Sequence, residues 1–269
     1  MARPHLSSGD FFGAASRTVQ AGGFRVGLWI ASRPPEGVEQ HAHDDAHFVL
    51  ALDDGYRSLA HDPLTPKGAA FGPGALVWNP PGVEHRDCFD VAGGRFLSIS
   101  FDPPKGAGQG DPLRLRGLRA ESAARRLVGV AGRFAAGDAV VMEGLTLDLA
   151  AAVLSPVELN EDPAPEWLLR AHQVLHDLAD QPGLEVATVA EMVGVHPVSL
   201  ARRYRRHFGR SPSAAIRAVR ADRAAAQVAR GRDLAELALG AGYADQSHLT
   251  REFGAIYGLT PARYRALFA

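Results

Sequence analysis

Three things are scarce in this 269-residue sequence, and each scarcity excludes something. There is one cysteine, Cys88, so no internal disulfide framework can form and the chain suits a reducing compartment. No run of about 18 apolar residues occurs, which leaves no candidate for a membrane-spanning helix. The opening "MARPHLSSGDFF" has no basic region followed by an apolar stretch, so no secretory leader is expected and a cytoplasmic location is. What is present is ordinary for a globular protein, with 46% hydrophobic and 22% charged residues and length enough for two modest domains.

The net charge of −1 conceals an asymmetry. From Pro197 to Ala269 there are 13 arginines, no lysine and 5 acids, a balance of +8, whereas residues 1–196 carry −9. A basic third joined to an acidic remainder suggests a polyanion-binding module carried by something else.

Texture divides the chain further. Residues 21–112 are rich in Gly and Pro, with short apolar runs such as "FRVGLWIAS", "AHFVLALDDG", "GALVWNPPG" and "GRFLSISFDPP". Many short strands broken by turns predict a sandwich or barrel. Residues 1–20 read as an N-terminal arm. Between 113 and 154, two amphipathic helices are expected at 121–136 and 138–154, the second capped by Asp138. Their apolar stripes need a partner, which is the barrel wall or a second subunit. "SPVELNEDPAP" (155–165) is a linker, and everything from Glu166 to Ala269 has helical periodicity. The fold class expected is α+β, a β-barrel followed by an all-α domain.

The last segment contains a repeat. Leu200, Arg202, Tyr204, Phe208, Gly209 and Pro212 recur 49 residues later as Leu249, Arg251, Phe253, Tyr257, Gly258 and Pro261. Each copy reads as a short helix, a Gly-containing turn, a second helix and a Gly-x-x-Pro stop, which is a helix-turn-helix. At 100° per residue, Leu200, Tyr204 and Phe208 share an inner face while Val198, Ser199, Arg202, Arg205 and Arg206 face outward. His196 and Pro197 fit the N-cap and first-turn positions. In the second copy Leu249, Phe253 and Tyr257 face inward, and Ser247, His248 and Arg251 outward. An Arg/Ser/His outer face suits a major groove, where arginine pairs with guanine edges and the other groups meet bases or phosphates. Between the copies, "SPSAAIRAVRADRAAAQVARG" reads as a stiff Ala/Arg helix that would hold the two readers about 34 Å apart, one duplex turn. Its arginines either touch phosphate or are solvated.

These residues resemble the AraC/XylS family of bacterial transcription regulators. The carriers are "ATVAEMVGVHPVSLARRYRRHFGRSP" and "LAELALGAGYADQSHLTREFGAIYGLTPARYR", within 166–268. The resemblance implies base-facing positions at Val198, Ser199, Ala201 and Arg202, and at Gln246, Ser247, Thr250 and Arg251. Ala201 departs from the longer side chain common there, so any base contact at that step is apolar or absent. It also implies a cupin-type sensor barrel, and two cupin motifs are recognisable. Gly74, Pro80, Gly82 and His85 complete the second. His41, His43 and Gly55 fit the first, with His47 where a carboxylate usually stands.

Four histidines, His41, His43, His47 and His85, therefore converge as candidate ligands for Zn, Ni, Fe or Cu, since imidazole nitrogen suits these over Ca²⁺ or Mg²⁺. The same four with Trp78 are equally readable as the lining of an effector pocket without metal. Asp44 and Asp45 read either as partners supporting the histidines or as a solvated turn.

The function expected is a non-enzymatic, effector-responsive transcription regulator, an activator, sensing a small molecule or metal through its barrel. Its expected partners are double-stranded promoter DNA, RNA polymerase and a second copy of itself, with no membrane. The alternative is a metal-dependent cupin enzyme fused to a DNA reader; a barrel serving only to dimerise is a third reading.

Overall fold

The computed structural model describes residues 5–7, 9–62, 64, 69–104, 110–154 and 164–269. Ten strands come first: β1 (His5–Leu6), β2 (Gly13–Ala21), β3 (Phe24–Ala31), β4 (Ala42–His43), β5 (Ala46–Ala51), β6 (Tyr56–Arg57), β7 (Leu76–Asn79), β8 (Cys88–Phe89), β9 (Arg95–Phe101) and β10 (Leu113–Leu115). Nine helices follow among the described residues: α1 (Leu118–Arg133), α2 (Ala139–Leu154), α3 (Glu166–Asp177), α4 (Val186–Met192), α5 (Pro197–Phe208), α6 (Pro212–Ala229), α7 (Leu234–Gly240), α8 (Gln246–Tyr257) and α9 (Pro261–Arg265).

Six strands form one antiparallel sheet in the order β10-β7-β5-β9-β3-β2. The short pairs β1-β4 and β6-β8, with a bridge between His41 and His85, supply further β structure. Because side chains alternate along a strand, the sheet separates two environments. On one face Leu28, Phe48, Leu50, Trp78, Leu97 and Ile99 join α1 and α2 in a continuous apolar core. On the other, Trp29, Val49, Val77 and Phe96 pack with Tyr56, Phe71 and Phe89.

Two boundaries differ from the sequence expectation. Residues 13–20 belong to an edge strand paired with β3 over its whole length, so only the residues before Gly13 remain as an arm. Residues 113–115 close the other edge of the sheet on β7 before the helices begin. Most of the expected linker, 155–163, lies outside the described residues. Asp138 accepts from the Ala135 amide (3.0 Å) and so caps a short 3-10 turn ahead of α2.

The helical third is not two readers on a free rod. Connector α6 is the central core helix, with Ala221, Ala224, Ala225 and Val228 fully buried. Its alanines are there for close packing as well as for helix propensity. The first repeat packs with α3 and α4 in its own cluster. The second shares the large core with α1, through Leu249, Phe253, Tyr257 and Tyr264. That approach is close: a Cβ on Gly129 of α1 would lie 2.2 Å from the Tyr257 carbonyl oxygen.

Candidate nucleic-acid interface and histidine cavity

The two reading helices start and stop by the same local chemistry. His196 Nδ1 accepts from the Val198 amide (3.3 Å) to cap α5, with Pro197 at its first turn, and Asp245 accepts from His248 N (2.7 Å) to cap α8. Gly209 (φ 69°) and Gly258 (φ 73°) end the helices in the left-handed conformation, and Pro212 and Pro261 start the next ones. Leu200, Tyr204 and Phe208, and Leu249, Phe253 and Tyr257, are all buried.

With the inner faces fixed, the outer ones are set. Val198 is 67% exposed, a large apolar side chain left in water, and Arg202, Arg205, Arg206, Gln246, Ser247 and Arg251 are exposed. Ser199, Ala201, Thr250 and His248 are half-buried. Two of these have local work. The Thr250 hydroxyl donates to Gln246 O (2.9 Å), and His248 packs edge-on against Tyr243 with its Nδ1 3.4 Å from the Ala244 amide.

The arginines of the connector divide: Arg217 is exposed, 3.9 Å from Glu252, whereas the other three have partners within the protein. Arg220 donates to the Ala179 and Gln181 carbonyls, Arg223 pairs with Asp180 (2.5 Å), and Arg230 reaches Asp53 (3.5 Å). Both outcomes left open by the sequence are replaced by internal pairing for these three.

The four histidines meet in one cavity. His43 and His47 ring centroids are 4.3 Å apart, His41 and His85 4.6 Å, and His85 lies 5.2 Å from His43 and 5.0 Å from His47. All four are buried. β4 and β5 bring in His43 and His47, and the bridge between His41 and His85 brings in the other two. Ligating nitrogens of His41, His43 and His85 lie within 4.8 Å of one another. His41 and His85 each present Nδ1 to a backbone carbonyl, Glu39 (2.9 Å) and Val83 (3.0 Å), which fixes the proton on Nδ1 and leaves Nε2 as a lone-pair donor. Among the described residues neither nitrogen of His43 has a partner.

His47 has one nitrogen engaged and one open. The two protons of the Asn79 amide go to Asp87 (2.6 Å) and to His47 Nε2 (3.1 Å), while His47 Nδ1 has no partner among the described residues. Ligand atoms of His47 also lie within 4.8 Å of those of His43 and Asp45, and of His85 and Asp87, so all four histidines keep a nitrogen for an ion. Burial holds His43 near pKa about 3, with His85 and His41 adding to the effect, and lowers His47 and His41 for the same first reason. These rings are neutral at pH 7, the form that binds a metal.

Trp78, expected to line this pocket, does not. It stands on the helix-packed face of the sheet against Phe48 (4.7 Å) and Phe101 (5.9 Å), because its parity in β7 is opposite to that of Asn79. Asp45, expected in a solvated turn, is fully buried; Asp44 beside it is exposed and 3.6 Å from His5. Sequence reasoning missed Phe11, Phe12 and Asp87, which line the cavity. Phe11 rests on His43 (5.1 Å) and His47 (5.2 Å), and Phe12 on His41 (4.8 Å). Asp87 had a signal, its even spacing from His85; the two phenylalanines had none, since they arrive from a distant loop.

Residues 189–267 match the model of a helix-turn-helix domain. The C-terminal part of the chain is thus a helix-turn-helix domain. Among solved structures, its segment is similar to the C-terminal domain of AraT, a response regulator from Geobacillus stearothermophilus, at 26% identity over 39% of this chain and 88% of that one (TM-score 0.38). An AraC-type regulator from Chromobacterium violaceum aligns at 23% identity over 38% of this chain and 92% of that one (TM-score 0.36). ToxT from Vibrio cholerae aligns over 91% of this chain and 99% of its own at 10% identity (TM-score 0.38). No curated protein gives a significant match. A helix-turn-helix domain implies double-stranded DNA as a partner, and no helix among the described residues is long and apolar enough to cross a membrane.

Proposed function

We propose that this DNA-binding transcription regulator is switched by a transition-metal ion held in the sheet domain by His41, His43 and His85, with Val198, Ser199, Ala201, Arg202, Arg205, Arg206 and, from α8, Gln246, Ser247, His248, Thr250 and Arg251 meeting DNA. The observation that carries the sensor half is His43. It is a buried side chain with two nitrogens and, among the described residues, no partner, a costly state unless something fills the space between the three rings. The cavity, about 40 Å³, has room for an ion and a few waters and excludes a sugar-sized effector in this conformation. Imidazole ligands favour Zn²⁺, Ni²⁺, Fe²⁺ or Cu²⁺.

A cupin-type sensor suits this arrangement, with β1 laid along β4 and Phe11 and Phe12 resting on the rings. An ion that prefers one packing of that segment shifts the population of DNA-competent molecules. A second copy of the chain is the partner we assign to α2, whose Val140 (78% exposed) and Leu147 (53%) lie open. Recruitment of RNA polymerase by the DNA-bound dimer follows as an activator's role.

Elemental analysis of protein purified without chelator, followed by zinc and nickel titration of the stripped protein, tests the reading. One equivalent per chain is expected in wild type and none in His43→Ala. Equal metal content in both would remove the site.

A further inference from the structure

Two sets of ligand atoms in the histidine cavity meet at His85. One is all imidazole: His41, His43 and His85. In the other, a nitrogen each from His47 and His85 and a carboxylate oxygen of Asp87 lie within 4.8 Å of one another. The two sets cannot be filled together. His85 gives its Nδ1 proton to the Val83 carbonyl (3.0 Å), which leaves it one lone pair, on Nε2. That nitrogen is buried and has no partner among the described residues.

The other two members of the second set also have an electron pair to offer. Asp87 accepts from the Asn79 amide through Oδ2 (2.6 Å), while its Oδ1 has no hydrogen-bond partner among the described residues. His47 accepts from the same amide through Nε2 (3.1 Å), so that nitrogen bears the lone pair. An ion at His47 Nε2 takes the place of one Asn79 proton and leaves the other on Asp87. Asn79 therefore spaces an imidazole and a carboxylate around one point while the position is empty, and keeps the carboxylate aimed when it is filled.

We propose that His47, His85 and Asp87 form a second, alternative position for the ion, selective for ferrous iron, and that the two positions compete for His85. The inference rests on the cavity's binding a metal at all. Two imidazoles and one carboxylate make up the donor set that holds non-haem ferrous iron with its remaining positions open, whereas imidazole alone takes zinc or nickel as readily. The carboxylate also offsets half the charge of a divalent ion in a buried site, which three neutral imidazoles do not.

The two positions engage different rings. Phe12 rests on His41 (4.8 Å), and Phe11 on His43 (5.1 Å) and His47 (5.2 Å). An ion in the first position ties down rings beneath both phenylalanines. One in the second ties down a ring beneath Phe11 and leaves His41 free beneath Phe12. The segment ahead of β2 would settle differently over each ion, and DNA affinity would report which of the two is in excess.

Because ferrous iron oxidises in air, the test is an anaerobic titration of the metal-stripped full-length chain with ferrous ammonium sulfate and with zinc chloride, read by calorimetry and elemental analysis. Wild type should take up one equivalent of either ion, and still only one when both are supplied. Asp87→Asn should weaken iron binding at least about tenfold, the lower end of what losing even a supporting partner costs, and leave zinc within about twofold. His41→Ala should do the reverse. Should Asp87→Asn fail to fold, X-ray absorption of wild type carries the test, with two imidazole rings expected around iron and three around zinc. Iron affinity untouched by Asp87→Asn, equal ring counts around the two metals, or both ions bound at once would overturn the second position and leave the first standing. Uptake of neither ion by wild type would remove both.

Discussion

Lowering the pH from 7 to 5 should destabilise this protein by a calculable amount. His43 and His172 are buried, and burial is the first cause that holds them at about 3 and about 2. In the unfolded chain a histidine titrates near 6.5. Between the two values the unfolded state binds a proton that the native state does not, so stability falls as the pH falls. The contribution is fully present above about 6.5 and lost progressively toward 3. At pH 5 each such histidine has cost about 2 kcal/mol relative to pH 7, from 1.5 pH units at 1.36 kcal/mol each. His43 and His172 together account for about 4 kcal/mol, a large share of the 5–15 kcal/mol typical of a domain. His41, His47 and His176 shift in the same direction and add to it. Guanidinium chloride unfolding at both pH values measures the loss, and His43→Gln should reduce it by about 2 kcal/mol. Wild type equally stable at pH 7 and 5, or a variant with the same loss, would refute the neutral-imidazole account on which the metal reading depends.

Three further outcomes follow from the geometry. Arg202→Ala should weaken binding to a preferred duplex by about 1–3 kcal/mol and relax preference at one base pair, read by competition among single-site variants. Tyr257→Phe removes a hydrogen bond to the buried Asp222 carboxylate and should cost about 1.5–3 kcal/mol in unfolding free energy. Gly129→Ala would gain about 1 kcal/mol of helix propensity, but Gly129 is buried and its Cβ would meet the Tyr257 carbonyl oxygen at 2.2 Å, a collision of the kind that costs about 1–3 kcal/mol. A net loss is expected by the same unfolding measurement, and a gain would show that α1 and α8 are not in contact as described.

The DNA-reading third was the most legible part of the sequence. A repeat at fixed offset, aromatic inner positions and Gly-x-x-Pro stops are local signals, and local signals suffice where helix phase decides which side faces water. The convergence of the histidines was legible for a similar reason: a motif with fixed spacing places His85 opposite His41. What the sequence withheld was long-range. Trp78 and Asn79 are neighbours in the chain, and only the sheet's packing decides that the asparagine takes the cavity side and engages His47. Arg223 and Arg230 looked available for phosphate because their carboxylate partners, Asp180 and Asp53, lie 43 residues or more away in sequence. Gly74 belongs to a turn motif by spacing, yet a Cβ there would lie 2.0 Å from Asp222 Oδ2, an approach visible only once the two domains meet.

The most direct measurement is a methylation-protection footprint on a duplex selected by the protein from random sequence. Two helix-turn-helix units reading one face of DNA should protect two major-groove segments about one helical turn apart, roughly 10 base pairs. Arg202→Ala should lose protection in one segment and Arg251→Ala in the other. A single protected segment unaffected by either change, or no selected sequence at all, would contradict the account.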